Sequence, residues 1–302
     1  MKFGYIINNK LMMNSNGKLI GIDPYNPLGL PPNTFRVRTN DGLAPNGKVN
    51  NFAEYDTATL VEGTTDIYDV YKSGNNLARL LRNSTNLIEV LGANTNGVTD
   101  INSMFLHCSA LSSIPLFDTS NVTSFELTFN GCKSLTSVPS YDTSNVTSMR
   151  YTFIDCSSLS SIPWFDTSKV TNTEGMLENC SNVSSVPLYD TSKVSYMPAM
   201  LANCTSLTSL PLFDTSNVVF MNHMLTNCTS LTSLPLFDTS NVTSMDFAFN
   251  DCVSVQTGAL DLYRQASTQT NPPIYHHYTF TYCGINTETG SAELAQIPRD
   301  WK

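Results

Sequence analysis

The sequence predicts a β-rich solenoid built from 24-residue coils, and three observations predict it. Seven cysteines, Cys108, Cys132, Cys156, Cys180, Cys204, Cys228 and Cys252, stand 24 residues apart without exception. Two further series keep the same beat: Pro115, Pro139, Pro163, Pro187, Pro211 and Pro235, and Asp118, Asp142, Asp166, Asp190, Asp214 and Asp238, each Asp followed by Thr-Ser. Within a coil the apolar residues follow L-x-x-L-x-L, as Leu231, Leu234 and Leu236 do after Cys228. A fixed period of roughly 20 to 29 residues with that spacing is the signature of a leucine-rich repeat. The expected fold is therefore a leucine-rich-repeat solenoid with a parallel sheet. One coil cannot bury these side chains alone, whereas stacked coils can, with parallel strands about 4.8 Å apart.

Residues 1–75 lack the period and read as a small β domain or attachment segment. Short strands are expected at 3–7, 10–13 and 18–22, the last two joined by Asn-Ser-Asn-Gly. A Pro-rich passage follows, and Phe35 and Val37 then alternate with Arg36 and Arg38, as in a half-exposed strand. Residues 76–302 form the expected repeat domain. Its first coil, 76–107, is degenerate, with Ser84 where the cysteine belongs and Leu87, Val90, Val98 and Ile101 one period before Leu111, Ile114, Val122 and Phe125. In the regular coils Val242 and Met245 mark a second extended piece, and a turn or short helix closes the coil before each cysteine. Cys283 lies 31 residues after Cys252, one period plus seven, and the insertion at 258–266 reads as a short helix. Ile297-Pro298 and Trp301 read as a terminal half-coil. Atypical ends are expected because the last coils must close off an apolar cross-section.

A net charge of −9 and a charged fraction of 14% exclude an electrostatic grip on nucleic acid or anionic lipid. The N-terminal apolar run is too short and too polar for a secretory segment, and no stretch approaches a membrane span.

The unit C-x-S-L-T-S-L-P-L-F-D-T-S-N-V-T-S-M, as it runs from Cys228 to Met245, resembles the BspA-like leucine-rich repeat. That repeat is known from bacterial surface proteins, mycoplasma lipoproteins and phage-encoded proteins. The resemblance covers about 76–301 and holds over six full coils. Leu30-Pro31-Pro32-Asn33-Thr34-Phe35-Arg36-Val37 and Ala292-Glu293-Leu294-Ala295-Gln296-Ile297-Pro298 also resemble the flanks of phage or prophage versions. The resemblance implies adhesion to proteins or cell surfaces, with no catalytic residues. The usual surface members carry a secretion signal or anchor, so the expectation here is a phage virion component. A bacterial cell-surface adhesin is the alternative.

Residue patterns that suggest chemistry have structural explanations. Equivalent cysteines stack with parallel Cβ vectors, whereas a disulfide needs Cβ atoms about 3.8 Å apart and turned together. Buried free thiols are expected. The Asp ladder invites calcium, but one carboxylate per coil is a thin ligand set, and Asp-Thr-Ser suits an Asx-turn whose N–H groups hold the carboxylate ionised. His107, His223, His276 and His277 read as surface residues. No catalytic group, metal or cofactor is expected, and no nucleic acid or membrane insertion.

A partner, either a protein or a cell-surface glycan and including other virion subunits, is expected where the coils differ. Variation concentrates in the second half of the coil. One variable series is Ser124, Ser148, Asn172, Tyr196, Phe220 and Ser244; another is Leu127, Tyr151, Gly175, Ala199, His223 and Phe247. Tyr196 and Phe220, with His223 and Tyr151, are the candidate aromatic patch. Trp164, with Ser140 in the same slot one coil earlier, is expected to compensate volume in the core.

Overall fold

A computed structural model describes residues 6–7, 10–11, 25–45 and 55–302. The strand expected at 18–22 and its Asn-Ser-Asn-Gly turn lie outside the described residues, as do parts of the two strands before it. The described pieces of those two, β1 (Ile6–Ile7) and β2 (Lys10–Leu11), pair antiparallel.

The regular sheet has four strands, β3 (Thr34–Thr39), β4 (Thr57–Leu60), β5 (Ile67–Tyr71) and β6 (Leu87–Asn94), in the order β4-β5-β3-β6. Every pairing in it is antiparallel. In β3 the alternation follows the sequence. Phe35 and Val37 are fully buried, while Arg36 pairs with Asp69 at 2.7 Å and Arg38 with Glu89 at 2.9 Å. The sheet draws β6 from the degenerate first coil, so it extends beyond residue 75. Phe35 packs edge-on against Phe105 and Phe117 of the first coils. The sheet thereby covers one apolar end of the repeats.

The coils stack in register. Alternate residues before each cysteine donate to the residue 23 positions on, as Met149 does to Asn172, Tyr151 to Glu174, Phe153 to Met176 and Asp155 to Glu178. Intervening N–H groups close turns within the coil, Thr152 onto Met149 and Cys156 onto Phe153. Each turn needs two left-handed residues, one five positions before the cysteine and one immediately before it. Tyr151 (φ 56°) and Asp155 (φ 61°) show the pair.

The expected parallel sheet does not form. Parallel pairing is reduced to isolated single-residue bridges, such as the series Ser124, Ser148, Asn172, Tyr196, Phe220 and Ser244. The L-x-x-L-x-L half of the coil, expected to carry the strand, contains none of these in most coils. Its sequence explains this. A proline inside the stretch removes a ladder donor, and the N–H of Phe237 or Tyr141 turns back onto the Pro235 or Pro139 carbonyl. Backbone contact between coils there is reduced to single bonds, such as Thr232 N–H to the Thr208 carbonyl at 3.3 Å, and just after the stretch side chains add to it. Thr143 donates to the Asp166 carbonyl at 2.9 Å and Thr167 to that of Asp190 at 2.8 Å.

The core runs as columns along the stack. Phe105, Phe129 and Phe153 stack almost parallel with ring centroids 5.5 Å apart. Phe117, Tyr141, Phe165, Tyr189, Phe213 and Phe237 form a second buried column. Its tyrosines carry their hydroxyls to backbone, Tyr141 to the Pro115 carbonyl and Tyr189 to that of Pro163. Trp164 is not part of this core, contrary to the expectation from volume. It is 60% exposed, and Ser140 is exposed as well. In the Pro-x-Phe/Tyr-Asp stretch the ring turns inward, so by strand alternation the residue before it faces out.

At the far end, α1 (Ala259–Thr268) covers the predicted helical insertion. A second helix, α2 (Glu288–Gln296), was not expected; its sequence, ETGSAELAQ, shows little apolar periodicity. Trp301 is buried, packs against Tyr263 of α1 and His276, and accepts a hydrogen bond from the Phe280 N–H at 2.8 Å.

Candidate functional site

The fold multiplies each coil position into a row, and the rows that vary define the candidate surface. Tyr196 and Phe220 are neighbours on the bridge row. Their backbones pair and the Met197 N–H donates to the Phe220 carbonyl at 3.0 Å. Their rings lie 5.3 Å apart, tilted by 59°. Phe220 is 38% exposed and Tyr196 half-buried. The same row continues across the insertion to Tyr275, which bridges to Ser244 and is exposed.

His223 occupies the first left-handed position of its coil, at φ 58°. Its ring stacks on Phe247 at 4.8 Å, and Phe247 stacks on Tyr278 at 5.0 Å. The three form a column rising over consecutive coils. Partial burial holds the His223 imidazole below its ordinary pKa, against the opposing pull of Asp246. Phe247 belongs to the variable series read from the sequence. Tyr275 and Tyr278 were missed because the seven-residue insertion shifts them out of the 24-residue count. Counting back from Cys283 restores both.

Tyr151 is not brought to this patch. It holds the same coil position as His223, three coils earlier, and is tied into a charged network. Its hydroxyl donates to Glu174 Oε1 at 2.6 Å, and the Arg150 guanidinium lies over its ring at 4.4 Å. Arg150 in turn bridges Glu174 at 2.6 Å and Glu126 at 3.0 Å. Burial and the Glu174 carboxylate raise the Tyr151 phenol above its usual pKa. Room for the ring comes from Gly175, where a Cβ would strike it. Towards the N-terminal end of the repeats, a polar cleft of about 660 Å³ is lined by Lys72, Asn76, Arg79, Asp100, Asn102 and Glu126. The variable rows thus change along the stack, from charged and polar coils to aromatic ones.

The thiols form a structural row. All eight cysteines are buried and unpaired. Seven Sγ–H groups donate to the carbonyl 27 residues earlier, from Cys108 to Leu81 at 3.0 Å through to Cys252 to Leu225 at 3.1 Å. Burial pushes the thiols of Cys108, Cys156, Cys204 and Cys252 up to about 12, so none is a nucleophile near neutrality.

The Asp row adopts the expected Asx-turns. Oδ1 of Asp118, Asp142, Asp166, Asp190, Asp214 and Asp238 accepts the N–H of the serine two residues on, at 2.8 to 3.0 Å. Bonds from Ser168, Ser192 and Ser216 hold Asp166, Asp190 and Asp214 below the usual carboxylate range. Among the described residues no three His, Cys, Asp or Glu side chains converge as a ligand set. No described helix is long and apolar enough to cross a membrane.

The family described as "Mycoplasma protein of unknown function, DUF285" matches residues 75–187 and 160–263. No curated protein matches the chain. Among solved structures, a leucine-rich repeat protein from Eubacterium ventriosum is similar over 62% of this chain, with 20% sequence identity and a TM-score of 0.37. The similar region spans 45% of that protein's length.

Proposed function

From the premise that this chain belongs to the DUF285 family, whose matches span most of its length, we propose a non-enzymatic recognition protein of the BspA-like leucine-rich-repeat kind. The observation that carries the reading is the aromatic surface of the later coils. Tyr196, Phe220 and Tyr275 interrupt a row that elsewhere holds Ser or Asn, and the His223–Phe247–Tyr278 column follows Gly175 and Ala199 in a row whose occupants vary from coil to coil. Stacking requires apolar residues inside the coil but makes no such demand on these positions. Aromatic side chains are enriched at protein interfaces, where a few residues, Tyr prominent among them, carry most of the binding energy.

Ring geometry favours a protein partner over a glycan. A pyranose packs its C–H groups on an open ring face. In the column the faces of Phe247 are taken by His223 and Tyr278, with interplanar angles of 5° and 23°. Phe247 therefore offers no open face to a sugar, whereas aliphatic and aromatic side chains can pack against ring edges. The setting we propose is a phage virion, with the segment before the repeats docking the protein to the particle. Its support is the likeness of the stretches Leu30 to Val37 and Ala292 to Pro298 to phage-encoded flanks.

Purified particles and whole host cells, each incubated with labelled protein, provide the test. Wild-type protein should be retained, and Phe220→Ser with Tyr278→Ser should lower retention about tenfold or more, as hot-spot truncation does. Equal retention of both proteins would remove the aromatic surface from the reading. Retention by cells with absence from the particles would favour a cell-surface adhesin.

A further inference from the structure

We propose that the outward row of Trp164, Leu188, Leu212 and Leu236, with the aspartates beside it, is a docking groove for an extended basic and apolar peptide segment of another protein. This surface is separate from the aromatic one. It lies in the first half of the coil, where the repeat is most regular.

These four side chains are 60%, 61%, 61% and 57% exposed. Such exposure is ordinary for one leucine, but a large apolar residue at the same place in four consecutive coils is a continuous ridge. Folding does not require it, because Ser140 fills the slot in a coil that keeps the same turn and inter-coil bonds. Two residues on, the aspartate also faces outward, so an apolar row and a carboxylate row run side by side. Between coils they enclose a groove of about 310 Å³, lined by Leu212, Asp214, Leu236 and Asp238 over the floor of Phe213 and Thr215.

Charge identifies the occupant. Oδ1 of each aspartate is committed to its Asx-turn, while Oδ2 of Asp214 and Asp238 takes no hydrogen bond among the described residues. Three residues after Asp166 and Asp190 stand Lys169 and Lys193, whose charges draw those carboxylates further down. After Asp214 and Asp238 the same places hold Asn217 and Asn241. No described cation lies within ion-pair distance of Asp214 or Asp238, so the groove at these two coils sets apolar side chains beside uncompensated carboxylates. A second copy of this chain would set aspartate against aspartate in a molecule of net charge −9. An anionic lipid surface fails for the same reason. A segment alternating apolar residues with Lys or Arg satisfies both rows at once.

A short fluorescein-labelled peptide of alternating leucine and arginine, titrated by fluorescence anisotropy, tests this against one of alternating leucine and glutamate. The full-length protein should bind the first and not the second. Asp214→Asn/Asp238→Asn should weaken binding about tenfold or more, and the asparagine oxygens still serve the turns. Leu212→Ser/Leu236→Ser should do the same at exposed positions. Glu62→Gln/Asp261→Asn removes equal charge elsewhere and should leave affinity unchanged. No binding by the wild type would overturn the proposal, as would an equal loss in the control pair. So would a dimer, seen by sedimentation, that disappears in Leu212→Ser/Leu236→Ser.

Discussion

The residue that repeats most strictly, the cysteine, shows how little chemistry a conspicuous motif need carry. Its thiol is small enough for the crowded turn, apolar enough for the core, and still able to satisfy the carbonyl of the coil before it. A neighbouring row does the same with amides. Asn203 donates to Asn179 and Asn227 to Asn203, at 2.8 and 2.9 Å, and Asn179 donates to Asp155. The buried thiols give a pH signature whose sign is fixed. Burial raises their folded pKa values, to about 12 for Cys108, Cys156, Cys204 and Cys252. The neutral thiol therefore contributes stability that is complete below the unfolded value of about 8.5 and is lost as pH climbs toward 12. Above pH about 8.5 the unfolded chain releases thiol protons that the folded chain keeps, each worth up to about 1.4 kcal/mol per pH unit. Denaturant unfolding between pH 8 and 11, roughly, should show a steep decline in stability. Cys180→Ala should make the decline shallower by about one proton. A flat profile would mean the thiols are not buried in solution.

At the scale of the element, the L-P-L-F-D stretch is where sequence and structure part company. Leucine spacing alone predicts a strand, yet the proline and the back-turning Phe or Tyr N–H remove the donors a parallel ladder needs. The cues for the burial rows and for the α1 insertion were local, and these elements stand where the residues placed them. The four-stranded sheet was only half legible. The alternation in β3 was plain, but β6 looked like part of a coil because its leucine and valine keep the repeat spacing. Two of the candidate site's rings, Tyr275 and Tyr278, were hidden by the insertion, whereas Tyr196, Phe220 and His223 could be read as departures from a row. Trp164 was misplaced for want of one consideration, that an inward Phe165 turns its predecessor outward. Thermal unfolding separates the two placements. An outward Trp164 replaced by alanine should change stability by no more than about 0.5 kcal/mol. A core tryptophan would cost about 3–5 kcal/mol.

For the whole molecule, the decisive property is that each coil touches only its neighbours, so what matters is register rather than length. Residue n bonds to residue n+23 or n+24 all along the repeats, from Leu81 with Met104 to Asn227 with Asn250. The caps differ from the coils and from each other: an antiparallel sheet covers one end, and α1 with Trp301 closes the other. Stability in such a stack is close to a sum over coils and their interfaces. Deleting residues 181–204, one full period, would bring Cys180 directly before Thr205 and set Asn179 beside Asn227, Leu177 beside Leu225 and Val170 beside Val218. The rows of cysteine, leucine, valine and asparagine then continue in kind, and both caps are untouched. That protein should unfold cooperatively with a modest loss of stability, while losing Tyr196 from the aromatic surface. Deleting residues 181–192 removes half as much chain but places turn positions against the L-P-L-F-D stretch, with left-handed residues facing prolines. It should fail to fold. Circular dichroism and denaturant titration of the two proteins give the comparison. If the shorter deletion were the better tolerated, stacking in register would not be what holds this chain together.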